Sequence, residues 1–474
     1  MKNCERFCID GEWVTPEGHQ VLEVLNPATE AAFATISLGT ADDVDQAVSA
    51  AQRAFAAFSQ TSPAERVDLL RAILARYSAR YDEFVEAIAL EMGAPIRFSR
   101  AEQAEAGEGH LNAAIRALEQ FTADERINDA LVTHEPVGVC GLITPWNWST
   151  NRVACKVAPA IAGGCTMVLK PSEIAPVSAM LFAEIMDEAG VPAGVFNLVN
   201  GDGPTDGAAI SGHAGIDMVS LTGSTRAGIA IAKAAADTVK RVHQELGGKS
   251  ANIILDDVDL ESTIREALRM GFKNSGQSCY TPARLLVPRR WMERVRAIAR
   301  DFGATMIVGD PLDEDTQMGP VVSRLQLDKI QAIIARGIDV GATLVAGGAG
   351  LPAALDRGYF VRPTVFADVT PAMDIARLEI FGPVITIIGY EDEEDAIAIA
   401  NDTVYGLTNY VGSGDKDRAR RLAWRLRSGM VHINAAPGDY DCAFGGYKQS
   451  GNGREWGKYG FADFIEIKSI FGFH

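Results

Sequence analysis

Val137-Gly-Val-Cys-Gly-Leu-Ile143, Thr166-Met-Val-Leu169, Val195-Phe-Asn-Leu-Val199, Met218-Val-Ser-Leu221 and Arg241-Val-His-Gln-Glu-Leu246 are short, largely apolar runs separated by helix-length intervals. The intervals carry helical patterning over residues 152–162, 176–189, 204–210 and 227–236. Short buried strands alternating with helices predict a parallel sheet covered on both faces, a doubly wound α/β layer. Such a sheet binds ligands beyond the carboxyl ends of its strands.

Outward from this region the pattern repeats. Ala251-Asn-Ile-Ile-Leu255, Leu285-Leu-Val287, Val384-Ile-Thr-Ile-Ile388 and Val431-His-Ile433 predict a second α/β domain. Upstream, residues 41–93 and 100–121 show apolar side chains at three- and four-residue spacing, with Asp42 and Ser62-Pro63 reading as helix starts. At the far end, Phe464-Ile-Glu-Ile-Lys-Ser-Ile470 partly alternates and reads as an exposed or subunit-pairing strand.

Bulk properties narrow the class. A chain of 474 residues is too long for one core. Its formal net charge of −18 repels polyanions, so neither nucleic acid nor an anionic membrane is an expected partner. Small anions remain accessible at helix N-termini. The seven cysteines are irregularly spaced and form no paired CxxC units, so neither a metal site nor a disulfide framework is expected. The N-terminal stretch has no apolar core of signal-peptide type, and no uninterrupted apolar run would span a bilayer. The expectation is a reduced, cytoplasmic protein.

Candidate chemistry sits in loops. Cys279, in Gly276-Gln-Ser-Cys279 before a strand, is placed for access; it is either a nucleophile or a chance loop cysteine. Glu245 ends the last strand of the first series, where it can serve as a base or as a solvated strand-end carboxylate. Asn147 follows the first strand and can donate to an oxyanion or cap a helix. Gly223, Ser224 and Gly228 lie at a strand-to-helix junction that suits a pyrophosphate, although GxGxxG is absent. Lys170 and Glu173 follow the second strand and can hold ribose hydroxyls, or form an ordinary charged loop.

In this order, these pieces resemble the aldehyde dehydrogenase superfamily over essentially the whole chain. The matching motifs are Pro145-Trp-Asn147, Lys170-Pro-Ser-Glu173, Phe196-Asn-Leu-Val-Asn-Gly201, Thr222-Gly-Ser224 with Gly228, and Glu245-Leu-Gly-Gly-Lys-Ser250. Gly276-Gln-Ser-Cys279, Glu379-Ile-Phe-Gly-Pro383 and Phe444-Gly-Gly-Tyr-Lys-Gln-Ser-Gly-Asn-Gly-Arg-Glu455 complete the series. The resemblance implies that Cys279 attacks an aldehyde, that Asn147 stabilises the oxyanion, that Glu245 activates water to hydrolyse a thioester, and that Glu455 takes part in proton relay. It implies cofactor contacts from Trp146, Lys170, Ser172, Glu173, Gly223, Ser224, Gly228, Leu246, Glu379 and Phe381. Glu173 beside the adenosine ribose repels a 2′-phosphate, so NAD is expected over NADP.

The implied architecture is two doubly wound domains, a Rossmann-like cofactor domain (residues 1–120 and 140–248) and a catalytic domain (249–440). A small β oligomerisation element (121–139 and 441–474) joins a homodimer or homotetramer. The substrate tunnel is expected to be lined by Trp148, Arg152, Cys155, Ser278, Tyr280 and Phe444, which suits an apolar or aromatic aldehyde, or a semialdehyde if Arg152 meets a distal carboxylate. The plainer reading of Arg152 is a surface helix arginine. Two departures from the family pattern, Ser149 and Ala443 where prolines are usual, are expected at the tunnel entrance. Competing expectations are a coenzyme A-acylating relative, which normally lacks the Glu245 base, and a catalytically silent binding protein. A thiol hydrolase would want a histidine beside Cys279, and none is expected there.

Overall fold

The computed structural model describes residues 2–16 and 20–473; Met1, residues 17–19 and His474 lie outside them. Its largest sheet runs, in spatial order, Gly451–Asn452, Arg241–Glu245, Met218–Thr222, Val139–Ile143, Thr166–Lys170, Phe196–Leu198, Phe7–Ile9 and Glu12–Val14. The five central strands are parallel. Chain order reverses between Val139–Ile143 and Met218–Thr222, which makes their carboxyl ends the topological switch point. The strands are apolar on both faces because both are covered. Val139 and Ile143 pack with Val44, Ala47 and Val48 of helix Ala41–Phe58. Cys140 and Leu142 pack with Val153, Val157 and Ile161 on the other side.

The second sheet has the order Thr343–Ala346, Thr364–Ala367, Val384–Tyr390, Arg284–Pro288, Ala251–Ile254, Thr408–Gly412, Met430–Ile433. All its pairings are parallel except at the Thr343–Ala346 edge. Alternate residues again feed two cores, Ile253, Leu286 and Ile388 on one face and Ile254, Leu285 and Ile387 on the other. The α/β class read from the alternation is therefore found, with both sheets parallel at their centres.

The structure adds elements that periodicity did not reveal. Phe7–Ile9 and Glu12–Val14 form a hairpin across Asp10-Gly11, both with positive φ, and extend the first sheet. Lys2–Cys4, Ala32–Ser37 and Val21–Leu25 form a separate three-stranded sheet. The first long helix is capped by Thr40 in a capping box with Asp43, so its start lies just before Asp42; the second starts at Ser62-Pro63 as read.

Ile465–Phe471 pairs antiparallel with Ala130–Pro136, which in turn pairs with Glu125–Ile127. The C-terminal strand is the edge of this small sheet, and Ile467 and Phe471 on it are 69% and 83% exposed. Among the described residues no helix is long and apolar enough to cross a membrane, and no group of His, Cys, Asp or Glu is arranged to hold a metal.

Candidate active site

Asn274 and Ser275 adopt left-handed φ of 54° each, followed by Gly276 at 70°. A left-handed run that includes two non-glycine residues is costly and persists only where contacts over-determine it. Here they do. Asn274 Nδ2 donates to Asn147 O at 2.9 Å, Ser275 Oγ to Gly319 O at 2.9 Å, and Val322 N to Gln277 Oε1 at 3.0 Å. Gly276 passes so close to Gly382 that a Cβ would strike its carbonyl. This pinned loop delivers Cys279, which is buried.

Asn147 follows the first strand at the switch point and is itself buried. Its Nδ2 donates to Gln277 O at 2.9 Å, and its carbonyl accepts from Gln103 Nε2 at 3.1 Å. The amide is thereby held against the cysteine loop, and it caps no helix. Helix Ser149–Gly163 starts immediately afterwards and is buried along its whole length. Arg152, Cys155 and Lys156 share one of its faces by their three- and four-residue spacing.

Glu245 ends strand Arg241–Glu245, which pairs with Met218–Thr222 on one side and Gly451–Asn452 on the other. It is 1% exposed, so the solvated strand-end alternative is wrong. Neither carboxylate oxygen has a hydrogen-bond partner among the described residues. The nearest cation-capable group is His243 Nε2 at 3.8 Å. Burial pushes its carboxyl up to about 7, against the pull of His243 and Arg152. His243 was not anticipated; it stands beside the base and not beside the thiol.

The C-terminal segment folds back so that Phe444 and Glu455 bridge through paired backbone hydrogen bonds. Glu455 is buried between two cations, Arg152 Nη1 at 2.8 Å and Lys156 Nζ at 2.6 Å. Burial alone would raise its carboxyl, but Lys156 and Arg152 more than offset that and hold it down near about 2. Arg152 is 1% exposed, which corrects the surface reading. Its Nη2 lies 3.6 Å from Cys279 Sγ, and its Cζ sits 4.7 Å from the Phe444 ring centroid. Burial drives the Cys279 thiol up to about 12; Arg152 opposes this, while Glu245, Glu379 and Glu455 reinforce it.

Trp148 Nε1 donates to Ser278 Oγ at 2.8 Å, and its ring lies 6.0 Å from that of Tyr280. Phe444 stacks on Trp456 at 4.6 Å. Cys155 is buried with its thiol turned to Arg152 O at 3.6 Å. Ser149 departs from its expected place at an entrance: it is buried, donating to Glu91 Oε1 at 3.3 Å and accepting from Ser178 Oγ at 2.8 Å. Lys156, Trp456 and His243 are the site neighbours that sequence reasoning missed; the i, i+4 relation of Lys156 to Arg152 was the available signal.

At the switch point, Ser224 Oγ caps helix Thr225–Ala235 by accepting from Ala227 N at 3.2 Å. Gly223 N donates to Glu245 O at 2.9 Å, and a Cβ on Gly228 would come within 2.7 Å of Leu246. Lys170 Nζ donates to Gly201 O at 2.6 Å and Pro171 O at 2.9 Å and lies 3.6 Å from Glu173. Ser172 Oγ accepts from Ile174 N at 3.3 Å. From the second sheet, Glu379 Oε1 accepts from Gly248 N at 2.8 Å, and Phe381 meets Trp146 edge-on at 5.4 Å. Loops of both sheets thus converge near Cys279.

Comparison with known proteins follows the same lines. Residues 13–470 match the family model described as the aldehyde dehydrogenase family. A 3-succinoylsemialdehyde-pyridine dehydrogenase from a Pseudomonas species is 53% identical, over 100% of this chain and 99% of its own length. A mutant of aldehyde dehydrogenase C from Pseudomonas syringae, in complex with NAD+ and octanal, superposes with a TM-score of 0.98 at 47% identity, covering 99% of this chain and 97% of the other. The Mycobacterium tuberculosis aldehyde dehydrogenase complexed with NAD+ gives 0.97 at 39% identity, over 99% and 98%. Likeness of this extent, over the whole chain and its buried thiol, held amide and partnerless carboxylate, means that the chain belongs to the aldehyde dehydrogenase family.

Proposed function

We propose that this chain oxidises an uncharged aldehyde to its carboxylic acid, with Cys279 as nucleophile, Asn147 as oxyanion donor and Glu245 as the base for hydrolysis. The observation that carries this reading is the closeness of the Cys279 thiol to the Asn147 amide, fixed on Gln277 O of the same loop at 2.9 Å, and to a buried Glu245 carboxylate without a hydrogen-bond partner among the described residues.

The residues fit a dinucleotide, and the enzyme is NAD-dependent. Lys170, Ser172 and Glu173 would hold the adenosine ribose, Gly223, Ser224, Gly228 and Leu246 the pyrophosphate region, and Trp146, Glu379 and Phe381 the nicotinamide ribose. NAD, when bound, supplies the hydride acceptor. Gly228 leaves room that a larger residue would fill, as its closeness to Leu246 indicates.

The chain's own groups supply the rest. Sγ of Cys279 adds to the carbonyl carbon, converting a planar aldehyde that cannot release hydride into a tetrahedral adduct that can. An amide nitrogen carries two N–H donors; the Asn147 amide spends one on Gln277 O and offers the other to the oxyanion. A donor so placed is worth roughly 10²–10³ in rate. Once the thioester stands, Glu245 takes a proton from water, whose oxygen attacks the acyl carbon and expels the thiolate. Glu455 is held ionised by Arg152 and Lys156, so we assign it the part of a fixed counter-ion in place of a proton relay.

Trp148, Tyr280 and Phe444 offer apolar surface, while the Arg152 guanidinium is already engaged by Glu455 and the Cys279 sulfur. This favours an aryl or alkyl aldehyde, or a semialdehyde with an uncharged distal group, over a carboxylated one. The relative named for a pyridine-bearing semialdehyde and the neighbour complexed with octanal agree with such a range. Glu245 argues against transfer to coenzyme A.

We also propose the domain division given above, a cytoplasmic location, and a homodimer or homotetramer formed through the C-terminal strand. A screen for NADH release across aryl, alkyl and carboxylated aldehydes tests the substrate class. A clear preference for the carboxylated members would overturn it, and failure of Cys279→Ala to abolish turnover would overturn the nucleophile.

A further inference from the structure

We infer that Arg152 is a catalytic residue whose guanidinium stabilises the Cys279 thiolate. The inference rests on Cys279 being the nucleophile, and its test can fail separately.

Arg152 touches the reacting atom, with Nη2 3.6 Å from Sγ and both residues buried. Its position is enforced from three sides. Glu455 binds Nη1 at 2.8 Å, the Phe444 ring lies under the guanidinium, and helix Ser149–Gly163 is buried throughout. Lys156, one turn along, takes the other Glu455 oxygen at 2.6 Å and donates to Ser220 Oγ at 2.9 Å. Two cations therefore share one carboxylate, which leaves one positive charge in excess, with Arg152 the cation that meets the sulfur. Arg152 Nε has no hydrogen-bond partner among the described residues.

The other groups facing the sulfur pull the opposite way or are neutral. Glu245 with His243 behind it comes from the strand Arg241–Glu245, Glu379 from the loop before Val384–Tyr390, and Glu455 from the C-terminal segment. Tyr280 on the same loop and Tyr410 on Thr408–Gly412 also sense it, and Cys155 lies on the arginine's own helix. A buried thiol surrounded by carboxylates stays protonated unless a cation is held against it. The C-terminal segment supplies both clamps, Phe444 and Glu455, so it builds the nucleophile's electrostatics without touching the sulfur through a charge of its own.

The test is the rate of iodoacetamide alkylation of the ligand-free protein from about pH 6 to about pH 10, followed at the Cys279 peptide by mass spectrometry; only the thiolate reacts, so a moved midpoint is read below it as a displacement of log rate along the pH axis. Arg152→Gln is expected to raise the pH midpoint by about one unit or more, an approximately tenfold slower reaction at neutral pH. Glu455→Gln should lower the midpoint, since Arg152 and Lys156 lose their counter-ion, and Arg152→Lys should fall between wild type and Arg152→Gln. Mere loosening of the site would hydrate the thiol and lower the midpoint in both variants. An unchanged or lowered midpoint in Arg152→Gln, or a raised one in Glu455→Gln, overturns the assignment. If Cys279→Ala is inactive while the Arg152→Gln profile is unchanged, Arg152 alone is wrong; if Cys279→Ala still turns over, the nucleophile reading is wrong.

Discussion

Burial sets the central conflict of this site. The buried surroundings drive the Cys279 thiol up to about 12 even with Arg152 opposing them, and without that cation the thiolate would be scarcer still. The same burial suits Glu245, because a carboxyl lifted to about 7 is poised to accept a proton. The sign of the pH dependence follows. Below about 7 Glu245 is protonated and cannot act as base, so acid release should rise as pH climbs through that value. Stopped-flow measurement of the burst and the steady state separates the steps: the initial NADH burst should survive at low pH while the steady rate falls. Glu245→Gln should show one burst and a steady rate reduced by roughly 10²-fold or more, without that inflection. Normal turnover in this variant would remove Glu245 from its role. Cys279, Asn147 and Glu245 were legible as candidates because each stands at a strand end or in a glycine-bearing loop, and the ordered series of motifs resembling the family chose between their two readings. Arg152 was read both as a tunnel-lining residue and as a surface arginine, since the turn spacing of a helix buried on all sides does not say which face meets solvent. His243 was overlooked although it stands two residues before Glu245 on the same face of one strand, and Glu455 acquires its counter-ions only through the chain's return from the far C-terminus.

Elements hold these side chains through backbone that few residues tolerate. Gly276 combines a φ of 70° with an approach to Gly382 that excludes any Cβ. Gly276→Ala should cost roughly 1–2 kcal/mol from the left-handed conformation alone, with a further cost from the collision, and it should shift Cys279 away from Asn147. Urea denaturation and kcat measured on one preparation should both fall. Gly203→Ala is the control, since Gly203 has open space around its Cα and no positive φ; it should stay within about 0.5 kcal/mol. Loss of stability without loss of kcat in Gly276→Ala would show that the loop does not position the thiol. At this scale most of the parallel strands were readable because they are apolar on both faces, Arg241–Glu245 being the polar exception, and the second helix start because Ser62 and Pro63 carry the capping chemistry. The N-terminal hairpin was overlooked although Asp10-Gly11 is a turn signal, because strands of three residues carry almost no periodicity. Ser149 was misplaced for a different reason: sequence shows that a proline is missing, but not that the serine joins Glu91 and Ser178 inside the fold.

Taken as a whole, the molecule presents an unfinished edge. Ile465–Phe471 is paired on one side only, with Ala130–Pro136, so its other side offers a row of backbone donors and acceptors. Ile467 and Phe471 are 69% and 83% exposed on that strand. Exposed apolar residues on an open edge invite strand pairing, and a chain of net charge −18 resists indiscriminate association, which favours a defined partner such as a second copy. Lys468, between the two apolar residues, is paired with Glu135 on the neighbouring strand, so the edge is not protected by a free lysine there. Replacing Ile467 and Phe471 together by Glu should therefore shift sedimentation-velocity mass toward the monomer at micromolar concentration. The catalytic residues lie on other sheets and loops, so dimerisation loss should leave the alkylation pH profile of Cys279 within about 0.3 unit of wild type, a change worth less than about 0.5 kcal/mol. An unaltered oligomer would place the interface elsewhere. A monomer whose Cys279 profile also moved would show that subunit contact reaches the crevice through Ala130–Pro136, whose chain continues after two residues into the switch-point strand Val139–Ile143.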